Sequence, residues 1–380
     1  MAFNDAQKTA IRHREGPMLV LAGPGSGKTT VITNRVRYLT EKAGVDPSHI
    51  LVITFTRAAA REMKERYEQI AQAGCSRVSF GTFHSVFFLI LKLAYRYKAA
   101  DIVREEQRIQ YMKEMLVKCD LEVEDEGEFI SSVLSEISMV KGELMDMDHY
   151  YAKNCSEDMF RQLYRGYEAR LRQNRLLDFD DMLVMCYELF KERKDILSAW
   201  QDKYRYILID EFQDINRIQY EIVKMLALPG NNLFIVGDDD QSIYRFRGAD
   251  IENILSFESA FPGAKVIKLE ENYRSTQNIL NAANGVIRHN RGRKDKTLWT
   301  ANGEGSLIRF KQFDMAREEA DYVARQIRDS EFSYQDQAVL YRTNAQSRLI
   351  EERCIFYNVP YRLGGGVNFY QRREIKDILA

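Results

Sequence analysis

The sequence predicts an α/β protein built on a parallel β-sheet with helices on both faces, and three observations carry that prediction. Met18–Leu21 is a short apolar run that passes through a glycine-rich turn into a pattern placing Ile32, Val36 and Leu39 on one helical face. Further apolar runs then alternate with helical ones, as Ile50–Phe55, Ala58–Ala71 and Arg77–Phe80 closed by Gly81 do in succession. Alternation of this kind builds parallel sheets. Finally, His84 to about Trp200 is almost wholly helical, and strands return only beyond it, so the helices read as an insertion.

The remaining elements follow in order. Asn4–Arg14 is a polar lead-in with the spacing of a short helix, and Asp46-Pro47-Ser48 breaks the helix after the glycine turn. Within the helical region, breaks fall at the acidic stretch Asp120–Glu128, at Gly142 and at Asp146–His149. Strands return at Tyr206–Ile209, Leu233–Gly237 and Lys265–Leu269, and Asn272–Thr276 reads as a crossing segment. Gly285–Gly305, basic around Arg291–Lys296, reads as a surface stretch or linker. A second alternation follows: strand Leu307–Phe310, helix Met315–Arg328, strand Ala338–Tyr341, helix Ser347–Tyr357 and the start of a helix at Arg373–Ala380. That second unit has about half the strands of a complete sheet.

With 380 residues, 45% of them apolar and 29% charged, the chain is an ordinary globular protein of two or three domains. Its first residues have neither a basic nor an apolar region of a signal peptide. No apolar run approaches the about 20 residues that span a bilayer. Cys75, Cys119, Cys155, Cys186 and Cys354 are scattered without CxxC spacing, which suits reduced thiols in the cytoplasm and neither zinc nor disulfides. A membrane partner is not expected. The net charge of −1 means that any nucleic-acid surface must be local.

Ala22-Gly23-Pro24-Gly25-Ser26-Gly27-Lys28-Thr29 is a phosphate-binding loop between strand and helix. Gly25 and Gly27 let backbone N–H groups converge on an anion, and the helix N-terminus adds partial positive charge. Lys28 brings a full charge to the β- and γ-phosphates, and the Thr29 hydroxyl suits Mg²⁺. Ala22 stands where the common pattern begins with Gly, and it is small enough to leave the turn intact. Thr30 completes the nucleotide-binding set.

Two acids end the strand before Phe212. Asp210 suits Mg²⁺ through its water shell, and Glu211 is placed to take a proton from water attacking the γ-phosphate. Gly237-Asp238-Asp239-Asp240-Gln241 ends another buried strand at the same sheet edge, which makes Gln241 a candidate sensor of the γ-phosphate. Tyr244, Phe246 and Arg247 follow, and aromatics interleaved with Arg suit base stacking on a single strand.

These segments, together with Thr54-Phe55-Thr56, Gly81-Thr82-Phe83-His84-Ser85, Asp210–Asp214 and Asn272-Tyr273-Arg274-Ser275-Thr276, occur in an order that resembles the superfamily 1 DNA helicases of the UvrD/PcrA/Rep type. The resemblance runs from Phe3 to the last residue. It implies a P-loop NTPase with a RecA-like ATP-binding domain (1–88 and 196–272), an all-helical insertion (89–195) and a partial second RecA-like domain (273–380). It further implies that Gln7 reads adenine, that Arg35 and Tyr273 pack about the base, and that Arg274 reaches the γ-phosphate. Phe55, Thr56, His84, Tyr244, Phe246 and Arg247 are implied to face single-stranded DNA. Arg342 and Asn344 match the strand-contacting motif of the second domain, although Asn344 also suits a helix cap.

Arg57-Ala58 replaces the Asn-Lys that many relatives have after Thr-Phe-Thr, and Phe246 replaces a Trp. The family's last two motifs, with a second γ-phosphate arginine, have no match before Ala380, so little ATPase activity is expected of this stretch alone. The reading that results is an ATP- and Mg²⁺-dependent 3′-to-5′ helicase and single-strand translocase, serving DNA repair, replication or recombination. Its expected partners are single-stranded DNA and single-strand/duplex junctions, in the bacterial cytosol. A P-loop ATPase that grips DNA without unwinding, the motor of a helicase–nuclease and an enzyme acting on RNA are the alternatives.

Overall fold

The computed structural model describes residues 3–71, 77–119, 123–243, 248–290 and 292–364. The chain divides into two compact units, Met1–Ser306 and Leu307–Ala380.

The first unit is organised by six strands: β1 (Met18–Ala22), β2 (Ile50–Thr54), β3 (Ser79–Thr82), β4 (Tyr206–Ile209), β5 (Leu233–Gly237) and β6 (Lys265–Leu269). They form one sheet in the order β3-β2-β4-β5-β1-β6, with every pair parallel. Because all the strands run the same way, their carboxyl ends meet at one edge, where ligands of such sheets bind. Side chains alternate between two cores. Leu19, Leu21, Leu51, Ile53, Ile207, Ile209, Leu233 and Ile235 enter one, whereas Met18, Val20, Ile50, Val52, Leu208, Phe234 and Val236 enter the other. Each such side chain contributes about 1.5–3 kcal/mol on burial.

Helix α1 (Asp5–Arg12) precedes β1, α2 (Lys28–Glu41) and α3 (Arg57–Ile70) connect the first three strands, and α4 (Phe83–Tyr95) leads out of β3. A capping box of Asn4 and Gln7 starts α1, and Thr56 and Thr82 cap α3 and α4. The boundary of β3 differs from expectation, since Gly81 lies inside the strand and does not close it. Its missing side chain makes room for Ser85, whose Oγ would stand 2.7 Å from an added Cβ.

Helices α5 (Glu105–Lys118), α6 (Glu126–Gly142) and α7 (Glu157–Gln173) have a core of their own, including Met112, Val133, Ile137, Phe160, Leu163 and Tyr167. Lys141 is buried among Glu168, Asp178 and Asp181, at 2.6, 3.2 and 2.7 Å, which ties α6 to α7 and to the next helix. That helix, α8 (Phe179–Glu192), packs with α4 on the sheet through Met182, Cys186, Phe190, Phe87 and Ile90. The expected helical run therefore holds two kinds of helix, those on the sheet and those around a separate core. Helices α9 (Lys194–Lys203) and α10 (Arg217–Ala227) lead into and follow β4.

After β5 come the short helices α11 (Glu252–Leu255) and α12 (Phe257–Ala260), and after β6 comes α13 (Gln277–Ile287). The stretch Gly285–Gly305 is mostly surface, as expected, but it is not linker throughout. Its start belongs to α13, while Lys296 and Leu298 are buried against the sheet domain.

The second unit pairs α14 (Ala316–Arg328) with α15 (Asn344–Phe356) around Ala324, Cys354 and Val359. Leu307–Phe310 and Ala338–Tyr341, expected as strands, form none. Phe310 and Leu340 are 89% and 94% exposed, and among the described residues no neighbour offers either segment a ladder. A strand pattern needs a partner to become a strand. The helix expected at Arg373–Ala380 lies outside the described residues.

Candidate nucleotide site

The loop after β1 is shaped by two glycines at positive φ, Gly25 (+72°) and Gly27 (+87°). Ser26 Oγ closes the turn by donating to the Gly23 carbonyl at 2.7 Å. Buried Ala22 ends β1 in place of the usual first glycine, and Pro24 stands exposed at the tip. Gly27 is the N-cap of α2 and brings no side-chain acceptor, unlike the caps of α1, α3 and α4. The first N–H groups of α2, on Lys28, Thr29 and Thr30, therefore remain available to an anion.

Lys28 Nζ lies 2.9 Å from Glu211 Oε2. Glu211 sits just beyond β4 at φ +51°, a left-handed conformation uncommon for a non-glycine residue. That turn aims its carboxylate back along the sheet edge, where Gln213 Nε2 also donates to it at 2.9 Å. Asp210 is 7% exposed and its carboxyl is pushed up to about 6, first by burial and then by Glu211, with Lys28 pulling the other way. Asp214 is raised to about 6 for the same reasons. Thr29 and Asp210 offer hydroxyl and carboxylate oxygens, the hard donors that Mg²⁺ prefers.

Beyond β5, Asp238 is fully buried. Its N–H donates to Gln213 Oε1 at 2.9 Å, and its Oδ2 accepts from Gln241 Nε2 at 2.5 Å. Gln213 thus bridges the strand carrying Glu211 and the strand carrying Gln241. Asp238, Asp239 and Asp240 bring their carboxylates close enough together to hold a cation. The Lys296 ammonium occupies that position, 2.8 Å from Asp238 and 2.7 Å from Asp240 and also paired with Asp239.

The segment after β6 is strapped onto the loop. Asn272 Nδ2 donates to the Pro24 carbonyl at 2.6 Å, and Tyr273 N–H donates to the Gly25 carbonyl at 2.9 Å. Asn272 Oδ1 accepts from the N–H groups of Arg274 and Ser275, which fixes the turn carrying Arg274 beside the loop. The Tyr273 hydroxyl joins Glu271 (2.8 Å), Asn4 (3.0 Å) and Gln7 (3.5 Å). Burial and the Glu271 carboxylate push it up to about 12. Gln7 in turn donates to the Ser26 carbonyl at 3.1 Å. Gln7, Tyr273 and Arg274 are therefore gathered around the glycine loop, as are Lys28, Asp210 and Glu211.

Arg35, expected at the base, is not among them. It is 1% exposed, its guanidinium stacks 4.4 Å over Phe234, and it donates to the carbonyls of Ala10, His13 and Arg14. Burial pushes it down to about 9. The signal was present in the sequence, since Arg35 lies three residues after Ile32 and four before Leu39, on the buried stripe of α2.

Of the positions expected to face DNA, Phe55, Thr56 and His84 lie along the opposite part of the edge. Three strand spacings separate β2 from β1, about 15 Å. Phe55 is 37% exposed at the end of β2, and Thr56 spends its hydroxyl on capping α3. The His84 ring meets Phe179 edge-on at 5.4 Å, and burial, helped by Arg57, lowers its pKa. Tyr244, Phe246 and Arg247 lie outside the described residues. Arg342 and Asn344 belong to the second unit and are exposed. Thr343 takes the N-cap position of α15, and Asn344 is the first helical residue. Residues with no expected role, namely Asn4, Gln213, Glu271, Asn272 and Lys296, supply much of the framework.

A family model described as the UvrD/REP helicase N-terminal domain matches residues 3–262, and one described as the UvrD-like helicase C-terminal domain matches residues 267–380. The chain is 44% identical over 390 aligned positions to an ATP-dependent DNA helicase PcrA of Staphylococcus epidermidis, covering all of this chain and 53% of that protein. It is 42% identical, with the same coverage, to an ATP-dependent DNA helicase PcrA of Staphylococcus aureus. The chain thus spans about half the length of these relatives.

Proposed function

The chain belongs to the UvrD/REP helicase family, and from that premise we propose that its protein hydrolyses ATP to move 3′-to-5′ along single-stranded DNA and to open duplex at junctions. The observation that carries the reading is the 2.9 Å contact of Lys28 with Glu211, which unites a phosphate-binding loop and a candidate general base.

In this reading the loop from Gly23 to Thr30 receives the triphosphate on its N–H groups. Lys28 exchanges Glu211 for the β- and γ-phosphate oxygens, which frees the carboxylate to accept a proton from water. The water oxygen forms a bond to the γ-phosphorus, and the bond from that phosphorus to the bridging oxygen breaks, releasing ADP. A magnesium ion held by Thr29 and Asp210 would neutralise charge on the phosphates. Gln241 senses the γ-phosphate, Arg274 stabilises charge on it, and Gln7 with Tyr273 holds the base.

The domain reading is a RecA-like ATP-binding domain (1–88 and 196–272), a helical insertion (89–195) and a partial second RecA-like domain (273–380). Phe55, Thr56, His84, Tyr244, Phe246, Arg247, Arg342 and Asn344 grip the strand. Among the described residues no helix is long and apolar enough to cross a membrane. We place the protein in the bacterial cytosol.

The test is DNA-stimulated ATPase and strand displacement by the full-length protein on 3′- and 5′-tailed duplexes, with Glu211→Gln as control. Unwinding of the 3′-tailed substrate alone supports the reading. ATP hydrolysis without displacement would leave a DNA-gripping ATPase.

A further inference from the structure

We propose that Lys296 is a positioning residue for ATP turnover, a built-in cation that sets the pose of Gln241 through Asp238. The inference rests on the nucleotide-site reading above and adds a residue remote in sequence from every segment used for that reading.

Three consecutive carboxylates follow β5, and each would repel the others. Side-chain exposure of Lys296 is 2%, and that of Asp238 and Asp239 is zero, so water does little to screen the repulsion. The Lys296 ammonium touches all three, at 2.8 Å from Asp238 and 2.7 Å from Asp240 and in a short pair with Asp239. Two neighbours of Lys296 complete the enclosure. Arg293 grips Asp240 with two hydrogen bonds of 2.7 and 3.0 Å, and the Lys294 N–H donates to Asp239 Oδ2 at 2.6 Å.

The consequence falls on Gln241. Asp238 accepts on Oδ2 from Gln241 Nε2, on Oδ1 from the Asp240 N–H, and donates its own N–H to Gln213. An ionised carboxylate accepts and cannot donate, so the Gln241 amide must turn its NH₂ toward Asp238 and leave Oε1 free. This orientation requires Asp238 to stay charged in a dry setting, which a bound ammonium permits. The relay Lys296–Asp238–Gln241 is joined through Gln213 to Glu211, so the candidate sensor and the candidate base share one framework.

DNA-stimulated ATP hydrolysis by the full-length protein tests the role. Lys296→Met is expected to lower kcat at least tenfold while KM for ATP stays within threefold of the parent. In a Gln241→Ala background the same substitution is expected to cost less than a further twofold, because the residue it acts through is gone. A kcat within threefold of the parent would overturn the proposal, as would an equal tenfold loss in the Gln241→Ala background, the mark of a merely structural role. If Lys296→Met does not fold, the charge-balanced Lys296→Met/Asp239→Asn variant is read by the same two criteria. Parental turnover in Glu211→Gln would sink the site reading itself. Loss in Glu211→Gln beside parental turnover in Lys296→Met would sink only the positioning role.

Discussion

Lys28 and Glu211 are 183 positions apart in the chain, yet their charged groups meet at 2.9 Å. The contact follows from strand order, because β1 and β4 flank β5 in a sheet whose carboxyl ends share one edge. It gives each charge a partner that a triphosphate can replace. Glu211→Gln keeps the shape and loses the proton acceptor, so ATP hydrolysis should fall about 10²–10⁴-fold. Affinity for a fluorescent ATP analogue should stay within a few-fold, and a parallel loss of affinity would assign Glu211 to binding.

Asp210 makes stability and activity pull apart. Its carboxyl titrates near 6 in the folded chain, above the ordinary 3.8, so the folded state holds the proton more tightly than the unfolded state. Stability therefore declines as pH rises from about 4 through 6 and is flat above that. Asp210→Asn should remove the penalty and raise stability at pH 8 by about 1–3 kcal/mol, visible as a higher Tm. Magnesium-dependent hydrolysis should be lost in the same variant. A lower Tm at pH 8 would mean that burial of Asp210 is already compensated.

Gly25 and Gly44 offer a matched comparison of two glycines at φ near +70°. A Cβ on Gly44 meets nothing within 4 Å, whereas one on Gly25 meets Asn272 Nδ2 at 2.7 Å and Arg274 Cβ at 2.8 Å. Gly44→Ala should cost only the conformational penalty, about 1–2 kcal/mol. Gly25→Ala should cost more and should also weaken ATP-analogue binding at least tenfold, since the Asn272–Arg274 strap must lift. Equal effects of the two substitutions on both Tm and binding would remove the strap from the argument.

Arg35 is expected to serve folding and not the base. Arg35→Met should lower stability by about 1–3 kcal/mol, because the carbonyls ending α1 lose their donor in a buried place. KM for ATP, measured well below the new Tm, should change less than twofold. A KM increase of tenfold with Tm intact would restore the base-contact assignment.

Local pattern carried much of this protein. The six strands of the sheet, the glycine loop and the acids after Ile209 were all visible as short runs with a period or a fixed spacing, features that depend only on near neighbours. Arg35 was expected at the base from the family resemblance, although its spacing from Ile32 and Leu39 already put it on the buried stripe of α2. Lys296 could not be placed from its neighbours, since Arg293-Lys294-Asp295-Lys296 has the composition of any solvated surface. Leu307–Phe310 and Ala338–Tyr341 have the residues of strands, but no ladder forms for them among the described residues.

What the sequence by itself determined, then, is which segments of the first unit become strands and helices and which of their ends bear charge. Tertiary structure alone decided that Lys28 faces Glu211, that Asn272 clasps the Pro24 carbonyl and that Lys296 lies among three aspartates. The reason is physical. Side-chain periodicity acts over a few residues, whereas the order of strands in the sheet brings together groups that no local spacing relates.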